Sequence, residues 1–566
     1  MLSDRAAGRW CLAWSVALAV LLLGPALGAG AVLSYDMVWV PDLAVTRDVL
    51  GLGSGLPRAV PSDAVVAVLD EVVPGLVLQR IVLLGALVAG GLGAARLVSG
   101  RLLVRLAAIG LYQWNAYVVE RLLIGHWPVL VGYALLPWVL VAARRWRDEG
   151  RLPPVLLVLL PLGSLSASAG LATAVVALAA AAGRGRTRVL VVVLAAANAP
   201  WLMAGALHAS SATTDPVGAE LFALHGEGGV PGPLAALTLG GIWNAEVVPD
   251  SRAGVAGWVS LLVLGGLAAL GARRWWHDSA ARERTALLAC WGVGWGIATA
   301  SWLLPGALGW LGAHLPGGGV LRDGARMLAL CAPLLVVLVA SGIGVLVDRL
   351  ARTRAALAAT GLTALLLPVV LLPDAAWGSA DRLAPATYPT AWGQARTALH
   401  AADPDGLLLV LPLSAFRRPS WNGQRTTFDP LGRYLGRPYV ASDVLPVSGT
   451  AIPGEDPLVP AAAQALAADG PEARARRLLD LGIGAVVVDH SAPGAADVPA
   501  VAGDAVIDGP ELSVTVLPGR PDPRPVATTD RLAMAVAWTA YAGLLSVAAA
   551  GLLRRRARER APAPPP

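Results

Sequence analysis

The sequence predicts a polytopic α-helical membrane protein of about twelve transmembrane (TM) helices, with an extracytoplasmic α/β domain set before the last of them. Three observations predict it. Of 566 residues, 56% are hydrophobic and only 14% charged, with mean hydropathy +0.63; a soluble globular chain is nearer a quarter charged. Apolar runs of roughly 18 residues or more, the length that crosses a hydrocarbon core, recur along most of the chain. The arginines also fall asymmetrically between the loops that alternate along those runs.

The first apolar run, Trp10 to Leu33, follows Arg5 and Arg9. It is long for a signal-peptide core, despite the small residues Ala26 to Ala31, and reads as an uncleaved first helix. Further spans are expected at 76–97, 102–119, 127–143, 153–166, 168–183, 188–207, 254–272, 285–304, 326–347, 355–372 and 531–553. The pair 153–166 and 168–183 is short, and also reads as one kinked helix or a re-entrant pair.

If odd-numbered spans run outward, the inner loops hold Arg96, Arg101 and Arg105, then Arg144, Arg145, Arg147 and Arg151, then Arg184, Arg186 and Arg188. Arg273, Arg274, Arg282, Arg284, Arg349, Arg352 and Arg354 follow, and Arg554, Arg555, Arg556, Arg558 and Arg560 close the chain. The short outer segments hold only Arg47, Arg58, Arg80, Arg121, Arg252, Arg322 and Arg326. This is the positive-inside pattern. It puts both termini in the cytoplasm and keeps 153–183 as two crossings. The organisation expected is a membrane domain over 1–372 with about eleven TM helices and outer loops 34–75, 207–253 and 305–325. An extracytoplasmic domain over 373–530, a last TM helix at 531–553 and a basic, proline-rich tail at 554–566 complete it.

The 373–530 region changes character. Tyr388 to Ala402 has helical spacing, Gly406 to Pro412 reads as a buried strand, and Pro457 to Leu481 is again helical. Gly484 to Asp489 and Leu512 to Leu517 read as two more strands. A helix leading into an apolar strand suggests parallel pairing.

Composition excludes several function classes. The net charge of +6 belongs to membrane-flanking loops and does not suggest nucleic acid. Every basic residue is arginine, and Ala, Gly, Val and Leu are abundant, which points to a GC-rich bacterial genome and a bacterial plasma membrane. Cys11, Cys290 and Cys331 lie in apolar segments, so the polar region has no disulfide framework and no cysteine metal site. There is no nucleophile elbow and no Walker loop.

Chemistry is expected where polar groups crowd the helix ends. Asp36 follows the first apolar run within about one turn, and a carboxylate at the mouth of a bundle is costly unless it has a partner or a task. It reads as a base for an acceptor hydroxyl or as a ligand for a divalent cation such as Mg or Mn, or else as a helix-end partner for Arg121. Asp42 is a second candidate. Asp48 and Asp63 read as turn and cap residues. Arg121 and His126, among Trp114, Tyr117 and Trp127, suit a phosphate by charge and donor geometry. The segment Pro316 to Arg326 places Arg322 and Arg326 four apart after a glycine run, an arrangement that can hold an anion. The loop 207–253 reads as a lid or acceptor groove. In the extracytoplasmic region, Trp421, Asn422, Asp429 and Arg433 form the mixture that stacks on sugars or closes a long loop on itself.

Taken together, the acid just past the first helix (Asp36), the bundle of about twelve helices and the late α/β domain resemble the GT-C superfamily of polytopic glycosyltransferases. Stretches such as Trp114 to Pro137 and Phe416 to Asp456 are similar to multi-pass membrane proteins of actinobacteria. The resemblance implies transfer of a sugar from a polyprenyl-phosphate donor, outside the membrane, to an envelope glycan, lipid or protein acceptor. It implies Asp36 as base or metal ligand, and Arg121, Arg322 and Arg326 as holders of the donor phosphate. Many members carry a paired acid after the first helix, whereas Asp36 and Asp42 lie six apart. Two other classes fit the layout: a transporter or flippase of a lipid-linked saccharide, and a non-catalytic envelope assembly protein. Matching halves with mid-membrane charges would favour the first, and tolerance of the loss of Asp36 would favour the second.

Overall fold

A computed structural model describes residues 4–210, 212–447 and 449–560. Ten helices among them are long and apolar enough to cross a membrane: Asp4–Leu27, Gly75–Leu97, Leu102–Leu123, Trp127–Glu149, Arg186–Leu207, Val255–Asp278, Ala281–Leu303, Ala332–Leu350, Arg354–Leu371 and Thr528–Arg555. The two fewer than expected both fall in 153–183. That stretch forms a short helix, Leu156–Leu162, and a longer one, Ala167–Ala181. At 1.5 Å per residue they rise about 10 Å and about 22 Å, each less than a bilayer core. The short helix packs on the last long helix, where the Tyr541 hydroxyl donates to the Pro161 carbonyl at 3.0 Å.

The first helix ends earlier than its apolar run. Regular helix stops at Leu23, and Gly24–Leu27 is a 3-10 turn carrying Pro25. Gly24 has φ +44°, and a Cβ there would lie 2.8 Å from the Trp377 backbone. Beyond it, Ala31–Val32 leaves the bundle as a strand and pairs antiparallel with Pro385–Ala386. At the other end, helix continues past the expected span to Arg560; the Ala561 to Pro566 part of the expected tail lies outside the described residues.

The 373–530 region is built on a five-stranded sheet. Its order is Asp504–Asp508, Leu512–Val516, Ile483–Asp489, Leu407–Leu411, Tyr439–Val440. Leu407–Leu411 runs parallel to both its neighbours, as the sequence suggested, and the other two strands are antiparallel. Alternation explains its unbroken apolar run. Leu407, Leu409 and Leu411 enter a core with Leu458, Ala462, Leu466 and Leu478, while Leu408 and Val410 face Trp392, Leu399, Leu431 and Leu435. Both faces are therefore covered, which is why no polar residue interrupts the strand. The expected helix 457–481 is two helices, Leu458–Leu466 and Pro471–Asp480, parted at Gly470, whose φ is +86°.

The sheet domain is fastened to the loop that follows the first helix. Tyr35 N–H donates to the Thr426 carbonyl and Phe428 N–H donates to the Tyr35 carbonyl, both at 2.8 Å, so the loop adds a short parallel rung to Thr427–Phe428. Tyr388 donates its hydroxyl to the Trp39 carbonyl at 2.7 Å. Arg433 pairs with Asp63 at 2.8 Å, with both side chains mostly buried. Asp63 is thus the membrane domain's half of a cross-domain ion pair as well as a first-turn helix residue.

Removing one partner of a buried ion pair strands the other charge, at a cost of roughly 3–5 kcal/mol. Arg433→Ala is therefore expected to lower the unfolding free energy of the detergent-solubilised protein by that order, measured by denaturant titration, with Arg433→Lys recovering part of the loss.

Candidate active site

The site is assembled where three segments meet. The first is a short helix, Ala116–Leu123, started by Asn115, whose side chain accepts from Val118 N–H at 3.1 Å. It carries Arg121, which is fully buried. The chain then turns through Gly125, with φ +85°, into His126 at the head of the next long helix. A Cβ on Gly125 would lie 2.1 Å from Met37 N and 2.4 Å from Ser34 O. Glycine is the residue that lets the second segment, the turn Ser34 to Met37, sit directly against this one. Asp36 stands at the tip of that turn, its N–H donating to the Ile124 carbonyl at 3.2 Å. The third segment, Arg322 to Arg326, closes the cluster from the far end of the membrane domain.

The contacts form a chain. His126 Nε2 lies 3.2 Å from Asp36 Oδ2, and His126 Nδ1 lies 3.2 Å from Arg121 Nη1. Arg121 Nη1 also lies 3.3 Å from Asp323 Oδ2, which takes a second, 2.8 Å bond from Arg326 Nε. Arg326 Nη2 is 3.2 Å from His126 Nε2. Guanidinium groups only donate, so Nδ1 must accept from Arg121 and the single proton of a neutral imidazole sits on Nε2, directed at Asp36. Arg326 then stands beside that nitrogen as a charge rather than as its donor. The Tyr117 hydroxyl donates to the Arg326 carbonyl at 2.8 Å and fixes the segment's backbone.

Electrostatics follow from this packing. Burial, with the charge of Arg326 and then Arg121, pushes the His126 pKa down to about 4 against the pull of Asp36. Burial works to raise the pKa of Asp36, but the His126 hydrogen bond and charge, and then the charges of Arg326 and Arg58, outweigh it and hold the carboxyl below its ordinary value. Near pH 7 His126 is neutral and presents only its N–H; at the acid pH where Asp36 itself titrates, the imidazolium charge adds to the hold. Asp36 is crowded by protein atoms, yet 51% of its side-chain surface is open. Asp323 is buried, a position that would raise its pKa, but Arg121 and Arg326 hold it low.

The expected residues sort clearly. Asp36, Arg121, His126 and Arg326 come together, although Asp36 meets His126 and not Arg121. Arg121 is enclosed, so it positions its neighbours and presents no surface to a phosphate. Asp42 is not brought to Asp36: it ion-pairs with Arg396 of the sheet domain. Of the sugar-binding candidates, Asn422 and Asp429 are buried and Trp421 and Arg433 are half-buried against partners. Trp421 packs against Tyr388 and Trp392, with ring centres 5.4 and 5.3 Å apart. Asn422 is fully buried, and its amide donates to the Arg425 carbonyl at 3.1 Å. Asp429 is buried against Arg417, and Arg433 is held by Asp63. Arg322 lies along a neighbouring cavity.

Sequence reasoning missed Asp323 and Arg58. The first had a signal, an acid three residues before Arg326 where both side chains share a helical face. Arg58 sits in a Gly/Pro-rich loop with no local pattern. Among the described residues no group of three or more His, Cys, Asp or Glu is placed to hold a metal ion. Asp36 is a single open carboxylate, and a Mg or Mn ion there would take its remaining ligands from water and substrate phosphate.

No family model matches the chain, and no curated protein matches it. Among solved structures it is similar to the arabinofuranosyltransferase AftD from Mycobacteria, with a TM-score of 0.54 and 18% identity. The match covers 90% of this chain and 40% of that one, so the chain spans less than half of its neighbour's length. An oligosaccharyltransferase from Archaeoglobus fulgidus aligns with a TM-score of 0.44 and 13% identity over 85% of this chain and 69% of that chain. The chain therefore shares a fold with the arabinofuranosyltransferase, a polytopic helical bundle that here carries a C-terminal sheet domain.

His126 is lower in pKa folded than unfolded, where it is about 6.5. The unfolded chain then binds the extra proton between the two values, so this contribution is complete above about pH 6.5 and is lost as pH falls toward about 4. Its full size is about 3 kcal/mol. Chemical unfolding of His126→Gln in detergent, compared with wild type over that window, is expected to show a pH dependence flatter by that order.

Proposed function

We propose that this chain is a membrane glycosyltransferase that moves a sugar from a polyprenyl-phosphate donor to an envelope glycan, lipid or protein acceptor at the outer face of the plasma membrane. The observation that carries the reading is Asp36, an open carboxylate aimed by a neutral histidine and backed by a guanidinium cluster, on a loop clamped between the helical bundle and the sheet domain. The fold shared with an arabinofuranosyltransferase supports it, and that neighbour's name makes a pentofuranosyl group one candidate for the sugar.

The chemistry divides among residues of opposite charge. Asp36 takes the proton of the acceptor hydroxyl as that oxygen bonds to the anomeric carbon. The bond from that carbon to the donor phosphate breaks, and the phosphate departs with the electron pair. A carboxylate held below its usual pKa is a weak base, so proton removal must accompany carbon–oxygen bond formation, when the hydroxyl has become acidic. His126 Nε2–H fixes the direction of the Asp36 carboxylate. Arg326, partly exposed beside it, meets the charge growing on the leaving phosphate. Arg121 and Asp323, both enclosed, hold His126 and Arg326 in register.

Asp36→Asn keeps the shape and removes the base. In the native host, at wild-type membrane levels, it is expected to cut transfer at least about a hundredfold, the lower end for general-base catalysis. An envelope glycan should shorten while a lipid-linked sugar accumulates. If neither glycan nor precursor changes, the transferase reading fails, and transport or assembly takes its place.

A further inference from the structure

One stretch of the chain is more apolar than its place requires. The span Ala281–Leu303 has 23 residues, so it rises about 34 Å and crosses the hydrocarbon core by itself. Arg282 and Arg284 mark its entry. The chain then stays on the site-bearing side until the span Ala332–Leu350. Soluble protein is about a quarter charged, yet no Asp, Glu, Lys or Arg occurs from Thr285 to Leu321. The charge-free run therefore continues well past the end of the span.

That continuation is helical. Leu304, with φ −132° and ψ 46°, breaks the span, and Pro305 opens a second helix, Pro305–His314. At about 15 Å it is too short to cross. One stripe of it packs on protein. A Cβ on Gly309 would lie 2.8 Å from the Pro216 carbonyl oxygen, and one on Gly312 would lie 2.7 Å from the Thr214 hydroxyl. Thr214 N–H donates to the Gly312 carbonyl at 2.9 Å. The opposite stripe, Ala307, Trp310 and His314, is open. Trp310 is 57% exposed, and Trp302, Leu303, Leu304 and Leu315 to either side are exposed as well. His314 stacks on Trp310 with ring centres 4.7 Å apart and donates from Nδ1 to the Trp310 carbonyl at 2.8 Å. The one ionisable group of the stripe is thus turned back onto its own helix.

We propose that Pro305–His314 lies in the headgroup and upper acyl region of the leaflet on the site-bearing side, with Ala307, Trp310 and His314 facing lipid. Continuity commits this surface to lipid. Trp302 to Leu304 end a membrane span and run directly into it, with no charged residue between, and exposed tryptophan belongs at that depth. The glycine stripe carries the consequence inward. After the helix, Gly317 N–H donates to the Ala212 carbonyl at 3.1 Å, and the chain passes through the turn Gly318–Leu321 to Asp323 and Arg326. The third segment of the site is thereby moored to Arg121 on one side and to the bilayer surface on the other.

The test uses the full chain in vesicles of phosphatidylcholine and phosphatidylglycerol. A bimane fluorophore is attached at Ala307→Cys or at Leu315→Cys and, as a water-facing reference, at Glu472→Cys on the exposed side of a sheet-domain helix. The three native cysteines are buried. Lipid bearing a nitroxide on the upper acyl chain is expected to quench the first two labels severalfold more than the reference, and aqueous iodide to quench them severalfold less. Trp310→Glu should return the Ala307→Cys label to iodide, and Trp310→Phe should not. Quenching by iodide as strong as at Glu472→Cys overturns the proposal. So does quenching by neither agent, the result if a second copy covers the face. None of these readings requires sugar transfer, so this proposal and the transferase reading stand or fall separately.

Discussion

A guanidinium with no access to water must be answered by the protein, and Arg121 sets that requirement at the head of the helical bundle. Asp323 and His126 answer it. Asp323 is then committed to two arginines, which draws the 322–326 segment inward from far along the chain. His126 is obliged to accept on Nδ1, and so to point its proton at Asp36. One enclosed charge thus decides the position of a distant loop, the tautomer of a histidine and the direction of the open carboxylate. Such pairs add little net stability, because desolvation offsets the attraction. What this one supplies is geometry.

The second constraint is steric and electrically neutral. Gly125 lets two backbones approach where any side chain would intrude, and the turn bearing Asp36 lies in that gap. Its other side is a rung of the sheet domain, through Tyr35 and the strand Thr427–Phe428. The backbone of the turn is fixed by main-chain contacts to two bodies, and His126 then sets the direction of the carboxylate. This also explains the fates of Asp42 and Asp63. Asp42 lies just past that clamp and Asp63 opens the helix Ser62–Asp70, and both tie the membrane domain to the sheet domain, through Arg396 and Arg433.

Much of this was legible in the sequence wherever the pattern is local. Hydropathy located the long helices. The strands at Leu407, Ile483 and Leu512 were visible because each is an apolar run between turn residues, and parallel pairing followed from the helix between two of them. Asp36, Arg121, His126 and Arg326 were visible because ionisable groups at helix ends are expensive. The misreadings share a cause. Trp421, Asn422, Asp429 and Arg433 have the composition of a sugar-binding surface, but composition is silent on whether a polar group faces solvent or a partner some hundreds of residues away. The first span was drawn too long because Ala26 to Leu33 is apolar enough for a membrane. Its far end, Ala31 to Leu33, is apolar here because it is buried where the strand Ala31–Val32 meets Pro385–Ala386. Arg58 carried no local pattern, since the carboxylate it meets, Glu455, is in the sheet domain.

The rung between Tyr35 and Thr427 has a temporal consequence. Asn422, which reaches back to the Leu33 carbonyl beside that rung, lies 389 residues away in sequence. A chain made from its N-terminus presents Asp36 early, while the strand that completes its turn comes late. Throughout that interval the loop has its Ile124 contact but lacks the sheet-domain partners of Tyr35, and contacts so far apart in sequence are slow to form. Biogenesis therefore keeps the carboxylate turn unset until most of the protein exists. A nascent or truncated chain lacks the sheet-domain side of that clamp, and the late domain is what completes it.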